Sequence, residues 1–213
     1  MEVNQNTEPK IELNFTGEAL HEKERRSSAI ETAELLASIP RTDITDDLPA
    51  ILKLIQHKSE YRARTEGGER LLKLLEKHKL VKMRDAGQLI AALVLPLKEK
   101  NKMIAKVYLK LAGLLPDVMG PAFAKSGGSS LVPELVKKLA ERSPLMRNGV
   151  LLVLERYCEA LKPHVVLGIA IKFVEKGCTE LKMSVFDLLL KYSSRMGTHK
   201  SIVGRRVCKI VLS

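Results

Sequence analysis

The chain has 213 residues, of which 45% are hydrophobic, 29% charged and only 4% aromatic, and its net charge is +11. These values are ordinary for a soluble globular protein. The abundance of Leu, Ile, Val, Ala and Lys with few aromatics predicts an all-helical protein rather than a β-sandwich. The longest apolar run, Leu89–Leu97, has nine residues and contains Pro96, so it is too short to span a bilayer.

Positive charge is concentrated after residue 39. Residues 1–39 hold four basic and eight acidic side chains, which leaves 32 basic and 17 acidic ones, a net charge of +15, for residues 40–213. A field of that sign favours an acidic partner such as nucleic acid, anionic lipid or an acidic protein surface.

The cysteines and the N-terminus indicate the compartment. Cys158, Cys178 and Cys208 are odd in number, widely spaced and without a CxxC pair, which is typical of reduced thiols in the cytosol or nucleus. The N-terminus has no apolar signal region. We therefore expect an intracellular protein.

Residues 1–39 predict an acidic, flexible and disordered tail, because they are polar and show little sustained periodicity. A capping-box pattern at Ser28–Glu31 adds a possible short helix over residues 28–38. We assign residues 40–196 to one helical-repeat domain. Residues 197–213 are an irregular C-terminal segment or the start of a further repeat.

Helical periodicity is strong from Asp46 onward. The spacing of Leu48, Ile51, Leu52 and Ile55 is that of one apolar helix stripe. The chain then alternates loops and amphipathic patterns. These predict further helical segments over residues 62–77, 131–139, 145–157, 165–174 and 181–192, together with one helix that holds Ala86, Leu89, Ile90 and Leu93 and one that holds Ile104, Val107, Tyr108 and Leu111. Gly67-Gly68 inside a helix costs about 1 kcal/mol per residue relative to Ala, and close approach of another helix would explain it.

Four short basic loops recur in this pattern, one inside each pair of helices. With Glu60, Asn101, Arg142 and Thr179 taken as equivalent, the spacings are 41, 41 and 37 residues. A period of roughly 40 residues with two helices per unit is the signature of HEAT-type solenoids. Stacking aligns such loops along one edge, where residues that recur from loop to loop form a binding surface.

Motifs for catalysis are absent from the sequence. The five histidines show no metal-ligand spacing, and no phosphate-binding glycine loop or nucleophile signature occurs. Cys158 lies on an apolar helix face, which predicts core packing. We therefore expect no catalytic residue, no cofactor and no metal, and a protein that is not an enzyme.

The loops carry the candidate site instead. Basic side chains lie in or just beyond each loop, and Tyr61 adds an aromatic of the type favoured as an interface anchor. The candidate binding residues from this pattern are Tyr61, Arg62, Lys100, Lys102, Arg142, Arg147, Lys176 and Lys182, and the family resemblance described next implies Asn101 as a further one.

Several segments resemble the TOG domains of the ch-TOG microtubule-polymerase family, most closely the fourth domain. Ile39–Thr45 is similar to Leu-Pro-Arg-x-(Asp/Glu)-Ile-Ser, and Glu60–Gly67 to Trp-Lys-x-Arg-x-Glu-Gly. Leu97–Lys102 resembles Leu-x-Asp-Ser-Asn-Lys, Val118–Pro121 resembles Ala-Met-Gly-Pro, and Glu141–Arg147 resembles Asp-Ser-Lys-x-x-Val-Arg. The resemblance covers residues 39–196, in which Tyr61 replaces the family's Trp.

The resemblance implies a TOG-like α-solenoid whose loop edge binds the αβ-tubulin heterodimer or microtubules. It further implies a cytoplasmic protein of the microtubule cytoskeleton, spindle or microtubule-organising centre, acting as a monomer without a small-molecule substrate or a membrane. The family's domain has six HEAT units and this sequence shows four, which predicts a truncated domain. Two alternatives stay open: a nucleic-acid-binding protein, and a partial or degenerate scaffold that binds another protein through the same surface.

Overall fold

The computed structural model describes residues 40–195. Within them the secondary structure comprises two short strands, nine α-helices and 3₁₀ turns that include Gly128–Leu131 and Ile171–Phe173. The strands are β1 (Thr42–Asp43) and β2 (Val81–Lys82). The helices are α1 (Leu48–Ile55), α2 (Tyr61–Lys77), α3 (Ala86–Leu97), α4 (Lys102–Met119), α5 (Pro121–Lys125), α6 (Val132–Lys138), α7 (Pro144–Leu161), α8 (Pro163–Ala170) and α9 (Thr179–Tyr192). The predictions made for residues 1–39 and 197–213 lie outside the described residues.

The helices stack as consecutive hairpins in two layers. The hairpins are α1–α2, α3–α4, α6–α7 and α8–α9. Each second helix packs on the second helix of the next hairpin, and the first helices α1, α3, α6 and α8 stack in the same way. The predicted all-α solenoid of about four helical hairpins is therefore confirmed. One continuous apolar core runs through the stack.

The apolar stripes seen in the sequence form this core. In α1 the four residues of the stripe are buried, and they are Leu48, Ile51, Leu52 and Ile55. Pro49 lies in the first turn of α1, where the missing N–H costs no intrahelical hydrogen bond. Burial of one stripe per helix against its neighbours provides most of the stability of such short helices.

The paired glycines of α2 allow close helix contacts on two sides. A Cβ atom added at Gly67 would lie 2.8 Å from Leu54 Cβ and 3.0 Å from the backbone nitrogen of Ile55. One added at Gly68 would lie 3.0 Å from the Tyr108 ring of α4. The predicted reason for these glycines is therefore confirmed, because α1 and α4 both approach the backbone of α2.

Two features of the fold were not predicted. The strands β1 and β2 form a parallel pair in which Thr42 lies opposite Val81, and the adjoining Ile44 is buried. The third hairpin is also preceded by the extra helix α5. Gly120, with a φ of 54°, separates α4 from α5, and Gly127, with a φ of 87°, precedes the 3₁₀ turn. Left-handed φ values of this kind are easily adopted by glycine only.

The contact at Gly67 generates a stability prediction. Gly67→Ala improves helix propensity by about 1 kcal/mol, but its Cβ would overlap α1, and overpacking of this kind typically costs about 1–3 kcal/mol. We expect a net loss of stability in urea unfolding followed by circular dichroism. Gly168→Ala in α8 is the matched control, because an added Cβ there meets nothing within 4 Å. It should be neutral or stabilising, and a Gly67→Ala variant as stable as this control would refute the proposed contact.

Candidate functional site

Each of the four hairpins has one loop between its first and its second helix. We define loop 1 as residues 56–60, loop 2 as 98–101, loop 3 as 139–143 and loop 4 as 174–178. These loops and the first turns of the helices that follow them form the loop edge. The hairpins stack with their second helices side by side. Each loop therefore follows the previous one along the same edge of the solenoid.

The structure shifts the alignment of two loops by one residue. The residues that precede the second helices are Glu60, Asn101, Ser143 and Cys178, which places them 41, 42 and 35 residues apart. Arg142 and Thr179 are therefore one position off the equivalence expected from the sequence. Helix capping gives the reason in loop 3, because the Ser143 hydroxyl accepts a hydrogen bond from the backbone N–H of Met146 at 3.4 Å.

Most of the predicted binding residues are exposed on the loop edge. The exposed ones are Tyr61, Arg62, Lys100, Asn101, Lys102, Arg142 and Lys176, whereas Arg147 and Lys182 are half-buried. Tyr61 is 51% exposed. Within residues 40–195, no carboxylate lies within ion-pairing distance of Lys100, Lys102, Arg142 or Lys176. These four cations are thus available to an acidic partner.

Two apolar side chains on this edge were missed by the sequence analysis. Met103, in the first turn of α4, is 67% exposed, and Leu145, in the first turn of α7, is 73% exposed. Tyr61 occupies the first turn of α2 in the same way. The signal was available, because the helical stripes of α4 and α7 leave both residues off their buried faces. The edge therefore presents apolar as well as basic groups.

Arg147 differs from the other predicted binding residues, because its guanidinium faces its own loop. Its Nη1 donates hydrogen bonds to the carbonyl oxygens of Glu141 at 2.8 Å and Arg142 at 3.0 Å. Arg64 occupies the equivalent position of α2, four residues after the capping position. Its Nη1 donates to the carbonyl oxygens of His57 at 2.7 Å and Lys58 at 3.0 Å. Both arginines hold the backbone of the loop that precedes their helix.

Two further contacts join one loop to the next. Arg64, which is only 6% exposed, donates from Nη2 to the Glu99 carboxylate of loop 2 at 2.6 Å. Lys138, at the end of α6, donates from Nζ to the Glu99 carbonyl oxygen at 2.7 Å and to the Glu141 carboxylate of loop 3 at 2.9 Å. The sequence analysis assigned no role to Arg64, Glu99, Lys138 or Glu141. The role of Arg64 could have been inferred from the sequence, because Arg64 and Arg147 occupy the same position within their units.

The electrostatic connection continues from loop 3 towards α9. The pKa of the Glu180 carboxyl lies below its usual value, first because its own backbone N–H donates to it and next because the Cys178 side chain does. The positive charge of Arg147 lowers the same pKa further. Glu180 lies in the first turn of α9, where a negative charge is favourable.

A cleft of about 450 Å³ lies between loops 2 and 3. It is lined by Leu97 and by charged side chains, which are Lys98, Lys100, Glu134, Lys137, Lys138 and Glu141. Glu134 takes up part of this positive charge, since Lys137 Nζ lies 2.8 Å and Lys98 Nζ 3.9 Å from its carboxylate. Lys138 pairs with Glu141, so Lys100 is the one lysine of this lining without a carboxylate partner among the described residues.

Other chemistry is limited in the described part of the chain. No group of three or more His, Cys, Asp and Glu side chains within residues 40–195 could hold a metal ion. Cys158 is buried in the core as predicted, and this burial raises the pKa of its thiol to about 12. No helix among these residues is both long enough and apolar enough to cross a bilayer.

Comparison with solved structures places the fold among TOG domains. The chain superposes on a structure of microtubule polymerases with Tumor Overexpressed Gene (TOG) domain arrays, described for tubulin recruitment and assembly, with a TM-score of 0.67 and 15% identity. The match covers 79% of this chain and 35% of that one, so this chain spans about a third of the polymerase chain. It also superposes on the MAST/Orbit N-terminal domain with a TM-score of 0.56 and 15% identity, covering 81% of this chain and 83% of that one. No family model and no curated protein matches the sequence. The fold is thus TOG-like.

Asn101 caps the N-terminus of α4, and two substitutions can test this role separately from any contact with a partner. Its Oδ1 accepts a hydrogen bond from the backbone N–H of Met103 at 2.9 Å, and loss of such a cap costs about 0.5–2 kcal/mol. We expect Asn101→Ala to lower the free energy of unfolding by this amount. Asn101→Asp, the matched control, keeps the acceptor and adds a charge that is favourable at a helix N-terminus. Equal destabilisation of the two variants in urea unfolding would contradict the capping role.

Proposed function

We propose that this chain is a non-enzymatic module that binds the αβ-tubulin heterodimer through its loop edge and acts in microtubule dynamics. One observation carries the proposal: a TOG-like solenoid aligns unpaired cations and exposed apolar side chains along a single edge. The TOG likeness supports tubulin as the partner because a structural neighbour is described for tubulin recruitment. We further propose that the protein acts as a monomer in the cytoplasm, on the microtubule cytoskeleton.

The charge of the loop edge suits an acidic protein surface. Lys100, Arg142 and Lys176 lie in loops 2, 3 and 4, and Lys102 is the first residue of α4. These four cations have no internal ion pair in the described part of the chain. Complementary charge mainly raises the association rate, and solvent-exposed charges are screened by salt. We therefore expect binding that weakens as the salt concentration rises.

Exposed apolar side chains on the loop edge would supply the hydrophobic part of the interface. Tyr61, Met103 and Leu145 lie in the first turns of three successive second helices and are all at least half exposed. Large side chains that become fully desolvated carry most of the energy of protein interfaces, and Tyr is enriched among them. Arg62 lies beside Tyr61, with its guanidinium carbon 6.0 Å from the ring centroid, and would help to orient the ring.

The scarcity of exposed aromatic rings argues against nucleic acid as the partner. Proteins that bind single strands stack bases on aromatic rings, and Tyr61 is the sole exposed large aromatic between residues 40 and 195. Met103 and Leu145 would contribute little to a phosphate backbone, whereas a folded protein surface can bury them. A steeply salt-dependent gel shift with DNA or RNA would favour this alternative.

The double variant Tyr61→Ala/Lys102→Ala tests the proposal. It removes the aromatic anchor of α2 and an unpaired cation of α4 without touching the core, since both side chains are exposed. Hot-spot residues cost about 2 kcal/mol or more each when truncated. We therefore expect the double variant to lose the shift that the wild-type chain gives with purified tubulin in low-salt size-exclusion chromatography.

The control is Lys110→Ala/Leu152→Ala, which also removes one exposed lysine and one exposed apolar side chain. Both positions are eight residues into their helices, about 12 Å from the helix starts, and so away from the loops. This control should bind like the wild type. The proposal fails if the wild-type chain gives no shift at low salt, or if the control loses binding as completely as the loop variant.

A further inference from the structure

We propose that three cations, Arg64, Lys138 and Arg147, form a ladder with the loop carbonyls and with two glutamates, and that this ladder fixes loops 1 to 3 relative to one another. These cations would be positioning residues rather than contact residues. The consequence for affinity rests on the proposed function, because it concerns how the loop edge is presented to tubulin. The bracing of the loops themselves can be tested without a partner.

The first rung joins loop 1 to loop 2. Arg64 contacts two carbonyl oxygens of loop 1 and the Glu99 carboxylate of loop 2. A guanidinium is charged at all accessible pH values, and its rigid fork of donors holds several acceptors in a fixed geometry. The side chain is almost fully buried, where hydrogen bonds to a charged group are costly to break. Movement of loop 1 against loop 2 would therefore break bonds that water cannot easily replace.

The second rung starts from the same glutamate. Lys138 donates to the Glu99 carbonyl oxygen and to the Glu141 carboxylate, and its side chain is also buried. Glu99 thus receives Arg64 on its side chain and Lys138 on its backbone. Loop 2 is held from the hairpin before it and from the hairpin after it.

The third rung fixes loop 3. Arg147 donates to the carbonyl oxygens of Glu141 and Arg142, while the Glu141 side chain receives Lys138. Arg142 is one of the unpaired cations of the loop edge, so its backbone is held while its side chain is exposed. The ladder separates cations that face inward and fix the loops from cations that face outward and are free to contact a partner.

Two variants on different rungs test the ladder. Glu99→Gln removes the charge that faces Arg64, and Lys138→Met removes both contacts of the second rung while keeping an apolar stem. The control is Glu159→Gln, because Glu159 makes a bidentate pair with Arg195 at 2.6 and 2.7 Å that touches none of the four loops. Each variant is first checked by circular dichroism and thermal unfolding, so that later measurements use the folded protein.

Amide hydrogen exchange of the full chain, read by mass spectrometry, is the partner-free measurement. We expect peptides that cover loops 1 and 2 to exchange faster in Glu99→Gln, and those that cover loops 2 and 3 to exchange faster in Lys138→Met. Peptides from the buried parts of α7 should keep their rates, because local opening does not require global unfolding. A uniform increase across all peptides, or no increase in the loops, would overturn the ladder as a positioning device.

Tubulin affinity is the second measurement. For each ladder variant we expect a dissociation constant about tenfold higher, which corresponds to about 1.4 kcal/mol, with no change in Glu159→Gln. Tyr61→Ala should cost less affinity in the Glu99→Gln background than in the wild type, because loop 1 is then no longer held. Wild-type binding with unchanged affinity in both ladder variants would overturn the positioning role. Absence of wild-type binding would instead refute the proposed function, and hydrogen exchange would then decide on the ladder alone.

Discussion

The loop edge depends on how the carbonyl groups after each first helix are satisfied. Carbonyl groups in the loop just beyond a helix have no intrahelical partner, and they lie near the negative end of the helix dipole. In this chain, five loop carbonyls receive hydrogen bonds from three cationic side chains, and they belong to His57, Lys58, Glu99, Glu141 and Arg142. Cations are the side chains best suited to this position, because they neutralise the dipole and donate several bonds at once. A basic loop edge is therefore partly a structural requirement of the hairpin.

This requirement divides the positive charge into two groups with different roles. Arg64 and Lys138 are buried and donate hydrogen bonds to internal acceptors. Lys100, Lys102 and Lys176 are exposed and have no internal ion pair among the described residues. Arg64 and Lys138 pair with Glu99 and Glu141, so these two pairs add nothing to the net charge of +15 for residues 40–213, which comes from cations outside them. Arg147 resembles the first group, because it donates hydrogen bonds to loop carbonyls. Its position just beyond a recurring loop had instead led to its prediction as a binding residue.

The hairpins could be predicted well from the sequence, because helical periodicity is a local signal. The apolar stripes that it indicates are the ones buried in the structure. Leu48 and Ile55 fall on one stripe whatever the partner helix is, and Gly67 indicates close packing before the neighbour is known. Several of the missed features depend on contacts distant in sequence. The pairing of β1 with β2 joins segments almost 40 residues apart, and the role of Glu99 depends on Arg64 and Lys138 from two other hairpins. The exposure of Met103 and Leu145, by contrast, could have been predicted from the sequence, because both residues lie off the buried stripes of their helices.

Rigid loops matter most when a binding edge is short. Four loops offer few contacts, and association must offset lost translational freedom and about 0.5–1.5 kcal/mol for each flexible side chain that becomes ordered. Lysines such as Lys100 and Lys102 lose much rotamer freedom on binding, so little affinity would remain if their loops also had to be ordered. Loops already fixed through Glu99 and Glu141 avoid that second cost. If the loop edge binds as proposed, its affinity would therefore depend on buried residues that do not contact the partner as well as on exposed ones.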